Sequence, residues 1–483
     1  MHIRRLIHAL SIATILVIGT PLVQAAAPNS KIAARVLADT ANGGSTEALV
    51  VLAEQADLRP AAALPTKLAK GRFVVNALRQ AATQSQAPIR AFLDQRGVPY
   101  QSFYIVNMIK VTGDRALMQE LAARSDVSRI DANPHVRTAL PVPTGFDSKT
   151  DSVTTVEWNV QRVGAPRVWA HGFRGEGRVV ASADTGVQWD HPALKSHYRG
   201  WNGTTVDHDY NWHDATSQRS PTPIDPYGHG TFTDSEMVGD DGAGNQVGVA
   251  PGAQWIACRN MDAGGNGAPS TYTECFEFLM APYPVNGDPS QGDPSLAPDS
   301  INNSWTCPAS EGCSVNTLLA VVNSVRAAGI FPSMAAGNSG PSCSSISDPP
   351  AVYDSSVTVG ATNSANQISS FSSRGPVTAD GSNRVKPDLS APGENIRGAV
   401  PGNGYQSGWS GTSMAAPHVA GGVALLWQAK PALVGDVDTT EATFEATAHH
   451  QKTTSNCGGT AGKSPNNVFG YGIINLVQAV KAP

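Results

Sequence analysis

Charge is scarce in this sequence and never gathers: charged residues make up 15% of the 483, the formal net charge is -5, and the isoelectric point lies near 6.2. No basic run exists, which removes nucleic acid as an expected partner. Cys-x-x-Cys pairs are missing, so a zinc site of the usual ligand spacing is not expected. Internal repeats and low-complexity tracts are also missing. Gly 47 and Pro 34 imply many loops but fall short of a disordered composition. Behind the first residues no apolar run is long enough to cross a bilayer, and no membrane contact is expected.

What is there begins at the N-terminus. His2, Arg4 and Arg5 precede an almost wholly apolar stretch at 6–18, and Ala25, Ala26 and Ala27 follow as small residues. That order reads as a secretory signal peptide over 1–27, and the apolar stretch is too short for an anchor. The product is therefore expected to be secreted and extracellular, and to be a monomer. An even set of six cysteines in an oxidising compartment implies up to three disulfides with 15 connectivities. Cys307 and Cys313 are the most plausible pair, because Pro308 and Gly312 can turn the short loop between them.

Residues 45–140 read as a small α+β unit. A strand at 47–52 leads into a long helix broken near Pro88, then a β-rich run at 100–106, a helix at 114–124 with Asp114 as N-cap, and a last strand through 127–136. Residues 141–156, starting Pro141-Val142-Pro143, form a linker. From 157 to 483 apolar strands at 178–183, 254–259, 299–304, 330–335 and 356–360 alternate with helices at 270–280 and 314–328. The alternation predicts an α/β fold with a mostly parallel sheet, helices on both faces, and a site where strands end.

Three segments carry chemistry. Asp184 ends an apolar strand, His229 stands between Gly228 and Gly230 at a helix start, and Ser413 opens a long apolar helix after Gly411-Thr412. Hydrolysis of a peptide needs a nucleophile, a base to take its proton, and a carboxylate to hold the base in one tautomer. A serine in the first turn of a helix also has free backbone N–H groups near it, suited to a developing oxyanion. Each residue alone reads equally well as a turn, surface or capping residue; the order Asp, His, Ser in those glycine contexts does not. An α/β-hydrolase esterase is excluded, because its serine comes first and sits in Gly-x-Ser-x-Gly.

These motifs resemble the subtilisin (S8) family of serine endopeptidases over roughly 157–482, and the wording at 255–262 and 301–305 is most like its bacillopeptidase-F-like branch. The resemblance implies Asp184 as orienting carboxylate, His229 as general base, Ser413 as nucleophile, and Asn338 as a side-chain donor to the oxyanion. It implies a peptide cleft with Ser304 and Trp305 on one edge and Ala335, Ala336 and Gly337 on the other wall. Residues 45–140 resemble the family's inhibitory propeptide, a small α+β ferredoxin-like unit, with an ordinary accessory domain as the alternative. Expected partners are protein or peptide substrates and the chain's own propeptide. No cofactor is required.

Several positions depart from the pattern. Asp234, Ser235 and Glu236 follow His229 where small or neutral residues are usual, and buried acids are costly unless paired. They motivate the alternative of a catalytically weak scaffold that binds peptides. Thr306 replaces a usual glycine beside the cleft. Ala193 and Gly242 stand where calcium ligands are frequent, so calcium is left unassigned, with Asp240 and Asp241 as an alternative oxygen pair. Asp348 falls near the base of the pocket for the residue before the cut, ahead of an expected cis-proline turn at Pro349-Pro350. An inward carboxylate would favour Arg or Lys there; a turn-shaping role would not, and Leu140 as the expected self-cleavage residue speaks for an apolar preference.

Overall fold

The computed structural model describes residues 28–137, 140–141, 156–455, 457–458 and 462–482. The expected signal peptide and most of the expected linker lie outside them. Two sheets organise the rest. In the N-terminal part, β1 (Ser45–Leu52), β2 (Tyr100–Phe103), β3 (Met108–Asp114) and β4 (Val127–Ala132) form an antiparallel sheet in the order β2-β3-β1-β4. Val50 and Leu52 face a local core with Ile109, Leu117 and Leu121, whereas Leu49 and Val51 join a core shared with Phe276 and Leu279 from the C-terminal part. Burial on both faces explains why residues 48–52 of β1 are continuously apolar.

The helix expected to break near Pro88 does not break: α1 runs from Lys67 to Gln95 with Pro88 inside. Proline removes one ladder bond, but the turns around it are held by buried Ala82, Ile89 and Leu93 and by Gln86, which donates to the Phe103 carbonyl at 2.8 Å. The run at 100–106 is only part strand, since residues 104–107 form the turn into β3. Asp114 caps α2 (Arg115–Ala123), accepting the Leu117 N–H at 2.9 Å. The last strand is split. After β4 the chain leaves the sheet, and β5 (Val136–Arg137) pairs with residues of the C-terminal part.

That part is built on a seven-stranded parallel sheet. Its strands are β6 (Val179–Asp184), β7 (Trp212–Asp214), β8 (Gln254–Arg259), β10 (Ser300–Asn303), β11 (Phe331–Ala335), β12 (Val357–Thr362) and β13 (Leu389–Pro392), in the order β13-β12-β11-β10-β6-β8-β7. The short β9 (Asn266–Gly267) receives β5. One face carries α3 (His229–Val238) and the long α6 (Thr412–Ala429); the other carries α4 (Pro269–Met280) and α5 (Leu319–Ala327). α6 is apolar nearly all round, as a fully buried helix must be. Disulfides join Cys258–Cys275, Cys307–Cys313 and Cys343–Cys457. Among the described residues no helix is long and apolar enough to cross a membrane.

Candidate active site

The parallel order delivers the ends of β6, β10 and β11 to one edge, where open α/β sheets form their sites. β6 ends on Asp184, whose Oδ1 lies 2.7 Å from His229 Nδ1; both side chains are fully buried. The Thr185 N–H donates to the same oxygen at 2.7 Å. A carboxylate on Nδ1 leaves Nε2 as the nitrogen free to take a proton. His229 Nε2 is buried and has no hydrogen-bond partner among the described residues, and the Ser413 hydroxyl donates instead to the Ser304 carbonyl at 3.2 Å.

Why His229 is held so firmly lies in a residue the sequence reading passed over. Asp225 is buried and accepts five donors: the hydroxyls of Thr185 and Thr231 and the N–H groups of Tyr227, Gly228 and Thr231. It thus caps the start of α3 and ties it to the residue after Asp184. An aspartate four residues ahead of His229 at a glycine-rich helix start was the available signal.

Ser413 stands in the first turn of α6, where backbone N–H groups lack helical acceptors. Pro417 cannot donate to the Ser413 carbonyl, and the Ser304 hydroxyl takes that acceptor at 2.9 Å. The edge expected from Ser304 and Trp305 is thereby fixed to the serine helix. Trp305 is pinned by donating to the Ala183 carbonyl at 2.9 Å and by stacking on Tyr272 with ring centroids 3.8 Å apart. Opposite, Ala335 and Ala336 are buried and Gly337 has φ +96°, its N–H bonded to Thr412 Oγ1 at 3.0 Å. Asn338 Oδ1 accepts the Thr412 N–H at 2.9 Å and its hydroxyl at 3.0 Å. Since a backbone N–H only donates, Oδ1 must face it, which turns the Asn338 amide nitrogen toward the cleft. A cavity of about 550 Å³ is lined by Ser304, Trp305, Thr306, Ala335, Gly337, Asn338 and Ser413.

Described residues of the N-terminal part reach this cleft, where Arg137 is among the lining residues. Val136 and Arg137 pair antiparallel with Gly267 and Asn266, β-strand addition to an exposed edge. Leu140 is buried against Gly265 and Tyr227, and Pro141 lies over Gly411, so close that a side chain at 411 would meet it at 2.5 Å. The docked unit is anchored on α4: Glu277 Oε2 accepts the N–H groups of Tyr104 at 2.6 Å and Ile105 at 2.9 Å, and Asn133 Oδ1 accepts the Ser270 N–H at 2.9 Å.

Asp234 and Glu236 are fully buried, and among the described residues no carboxylate oxygen of either has a hydrogen-bond partner. Burial pushes both well above the ordinary carboxylate range, and Asp184 adds to the rise at Asp234. At the alternative calcium position, Asp241 Oδ1 accepts the N–H groups of Ala243 and Asn245, and Oδ2 accepts from the Asn245 amide and the Tyr405 hydroxyl. Protons face oxygens a cation would need. Asp388, Glu441 and Glu445 form an acidic cluster elsewhere, but Lys386 and Arg326 already pair with it. The expected cis peptide bond occurs at Pro349–Pro350.

Residues 175–472 match the Subtilase family. Bacillopeptidase F of Bacillus subtilis (strain 168) is 37% identical over 449 residues, covering 89% of this chain and 30% of that protein, so the chain spans less than a third of that relative. Subtilisin BL of Lederbergia lenta is 31% identical over 327 residues, 68% of this chain and 99% of that protein. Subtilisin E of Bacillus subtilis (strain 168) is 28% identical over 366 residues, 74% of this chain and 81% of that protein. A family match over more than half the sequence, falling on the part that carries Asp184, His229 and Ser413, means that the chain belongs to the subtilase family, the subtilisin-like serine endopeptidases.

Proposed function

We propose that the protein is the precursor of a secreted endopeptidase that cleaves protein and peptide substrates through Asp184, His229 and Ser413. The carrying observation is the buried Asp184–His229 pair, 2.7 Å apart, on the same sheet edge as Ser413 and Asn338. Ser413 attacks the carbonyl while His229 Nε2 takes its proton. Asp184 holds the tautomer and stabilises the imidazolium, and the Asn338 amide with the N–H of Ser413 receives the oxyanion. His229 then protonates the leaving amine, and water resolves the acyl-enzyme. A rotation of the Ser413 hydroxyl away from the Ser304 carbonyl starts the cycle. Residues 45–140 act as an inhibitory propeptide: β5 already fills the strand position a substrate would take. Residues 1–27 direct export, in keeping with three disulfides.

A weak peptide-binding scaffold is the second reading, favoured by unpaired Asp234 and Glu236 and by the Ser304-bound hydroxyl of Ser413. Labelling with a fluorophosphonate separates the two. Processed wild type is expected to label and Ser413→Ala to stay unlabelled as an uncut precursor, with wild type beginning between Pro141 and Glu157. A folded wild type that never labels is the scaffold.

A further inference from the structure

The cavity beside Ser413 is acidic. Asp348 and Glu311 line it along with the wall and edge residues already described. The partners of Asp348 are the Ser347 hydroxyl at 3.1 Å and the Ala309 N–H; the partner of Glu311 is the Arg137 N–H at 2.7 Å. All of these donors are neutral, so among the described residues no contact balances either carboxylate charge. Among the described lining residues the one cation is Arg137, which belongs to the N-terminal segment and departs with it if the chain matures. Once it leaves, two negative charges remain.

Both carboxylates are fixed in place. The Cys307–Cys313 disulfide closes the loop that holds Glu311, and the Cys307 N–H donates to the Pro349 carbonyl at 2.8 Å, next to Asp348. Asp348 is only partly exposed, and burial pushes its carboxyl above the ordinary range. Such a group gains a partner when a cation arrives, and is left desolvated and unpaired when an apolar side chain does. Leu140 is no argument for an apolar occupant, because it packs against Gly265 and Tyr227.

We propose that this cavity selects Arg or Lys as the residue preceding the scissile bond, with Asp348 as the counter-charge and Glu311 as a second negative charge at the rim. The assignment rests on Ser413 being the nucleophile. Its test is a set of fluorogenic peptides that differ only at that residue, Arg, Lys, Leu or Phe, read as kcat/KM with active enzyme counted by fluorophosphonate labelling. Wild type is expected to prefer the cationic pair at least about tenfold. Asp348→Asn and Asp348→Gly should each erase most of that ratio, chiefly through KM, and Glu311→Gln should lower it about threefold. Wild type that labels but prefers Leu or Phe, or a ratio unchanged in both Asp348 variants, overturns the pocket assignment alone. Wild type that does not label overturns the nucleophile and the pocket with it.

Discussion

Glu277 makes the hold of the N-terminal unit on the catalytic part depend on pH. Its carboxyl is fully enclosed at the joint, under the Tyr104 and Ile105 N–H groups. Burial pushes it up to about 8, and Glu274 adds to the rise; the two N–H donors and Arg79 act in the opposite direction. The other groups facing it are the Tyr104 and Tyr283 phenols. When the unit leaves, water reaches Glu277 and its pKa returns toward the ordinary 4.5. The docked state thus prefers the protonated acid. Docking is tightest below about 4.5, weakens as pH climbs, and levels off above about 8. At about 1.4 kcal/mol per pH unit, moving from pH 5 to pH 7 costs about 2.7 kcal/mol, roughly a hundredfold in Kd. The assay is dissociation of the cut but still bound N-terminal unit by size exclusion across pH 5–8. Glu277→Gln keeps an acceptor for the two N–H groups and cannot ionise, so its Kd should be nearly flat. An equal slope in wild type and variant, or tighter docking at high pH, refutes the reasoning.

Ser413→Ala, His229→Ala and Asp184→Asn should each lower kcat by about 10⁴-fold or more, and double variants should be little worse than the worst single one; additive losses would show independent roles. Asp225→Ala strands five donors, four at the start of α3 and the Thr185 hydroxyl after β6. It should cost about 2–4 kcal/mol in denaturant unfolding and reduce kcat in the fraction that folds. Glu236→Met should raise stability by about 1–3 kcal/mol by removing an unsatisfied buried acid. Because burial raises the pKa of Glu236, the native form loses stability as pH rises from 4.5 toward that raised value, so the gain in Tm should be larger at pH 8 than at pH 5.

The sheet and the placement of Asp184, His229, Ser413 and Asn338 were legible because each depends on residue type at a strand end or helix start. The elements that escaped have weak local signals. β3 carries Gly113 and follows a turn, β7 is three residues long at the sheet edge, and β13 contains Pro392. Pro88 misled for a different reason: a proline penalty is local, whereas the packing that outweighs it comes from residues far along the chain. Asp225 was easy to pass over because capping is a relation between a side chain and N–H groups: its place four residues ahead of His229 hints at a cap but does not show the five donors it meets. Asp234 and Glu236 were visible as letters, but their isolation shows only in the fold, where among the described residues no partner reaches their carboxylates.

The Cys343–Cys457 bond bears on survival among identical copies. A protein-cutting molecule at high concentration is its neighbours' nearest prey, and exposed loops are where such cuts fall. Ser413 lies between the two cysteines, which are 114 residues apart. A single cut anywhere in that span yields no loose fragment, because both pieces remain tied to the same body. Re-docking is then a unimolecular event at high effective concentration rather than a search through solution. The stretch that carries Ser413 can be nicked once and still not be lost.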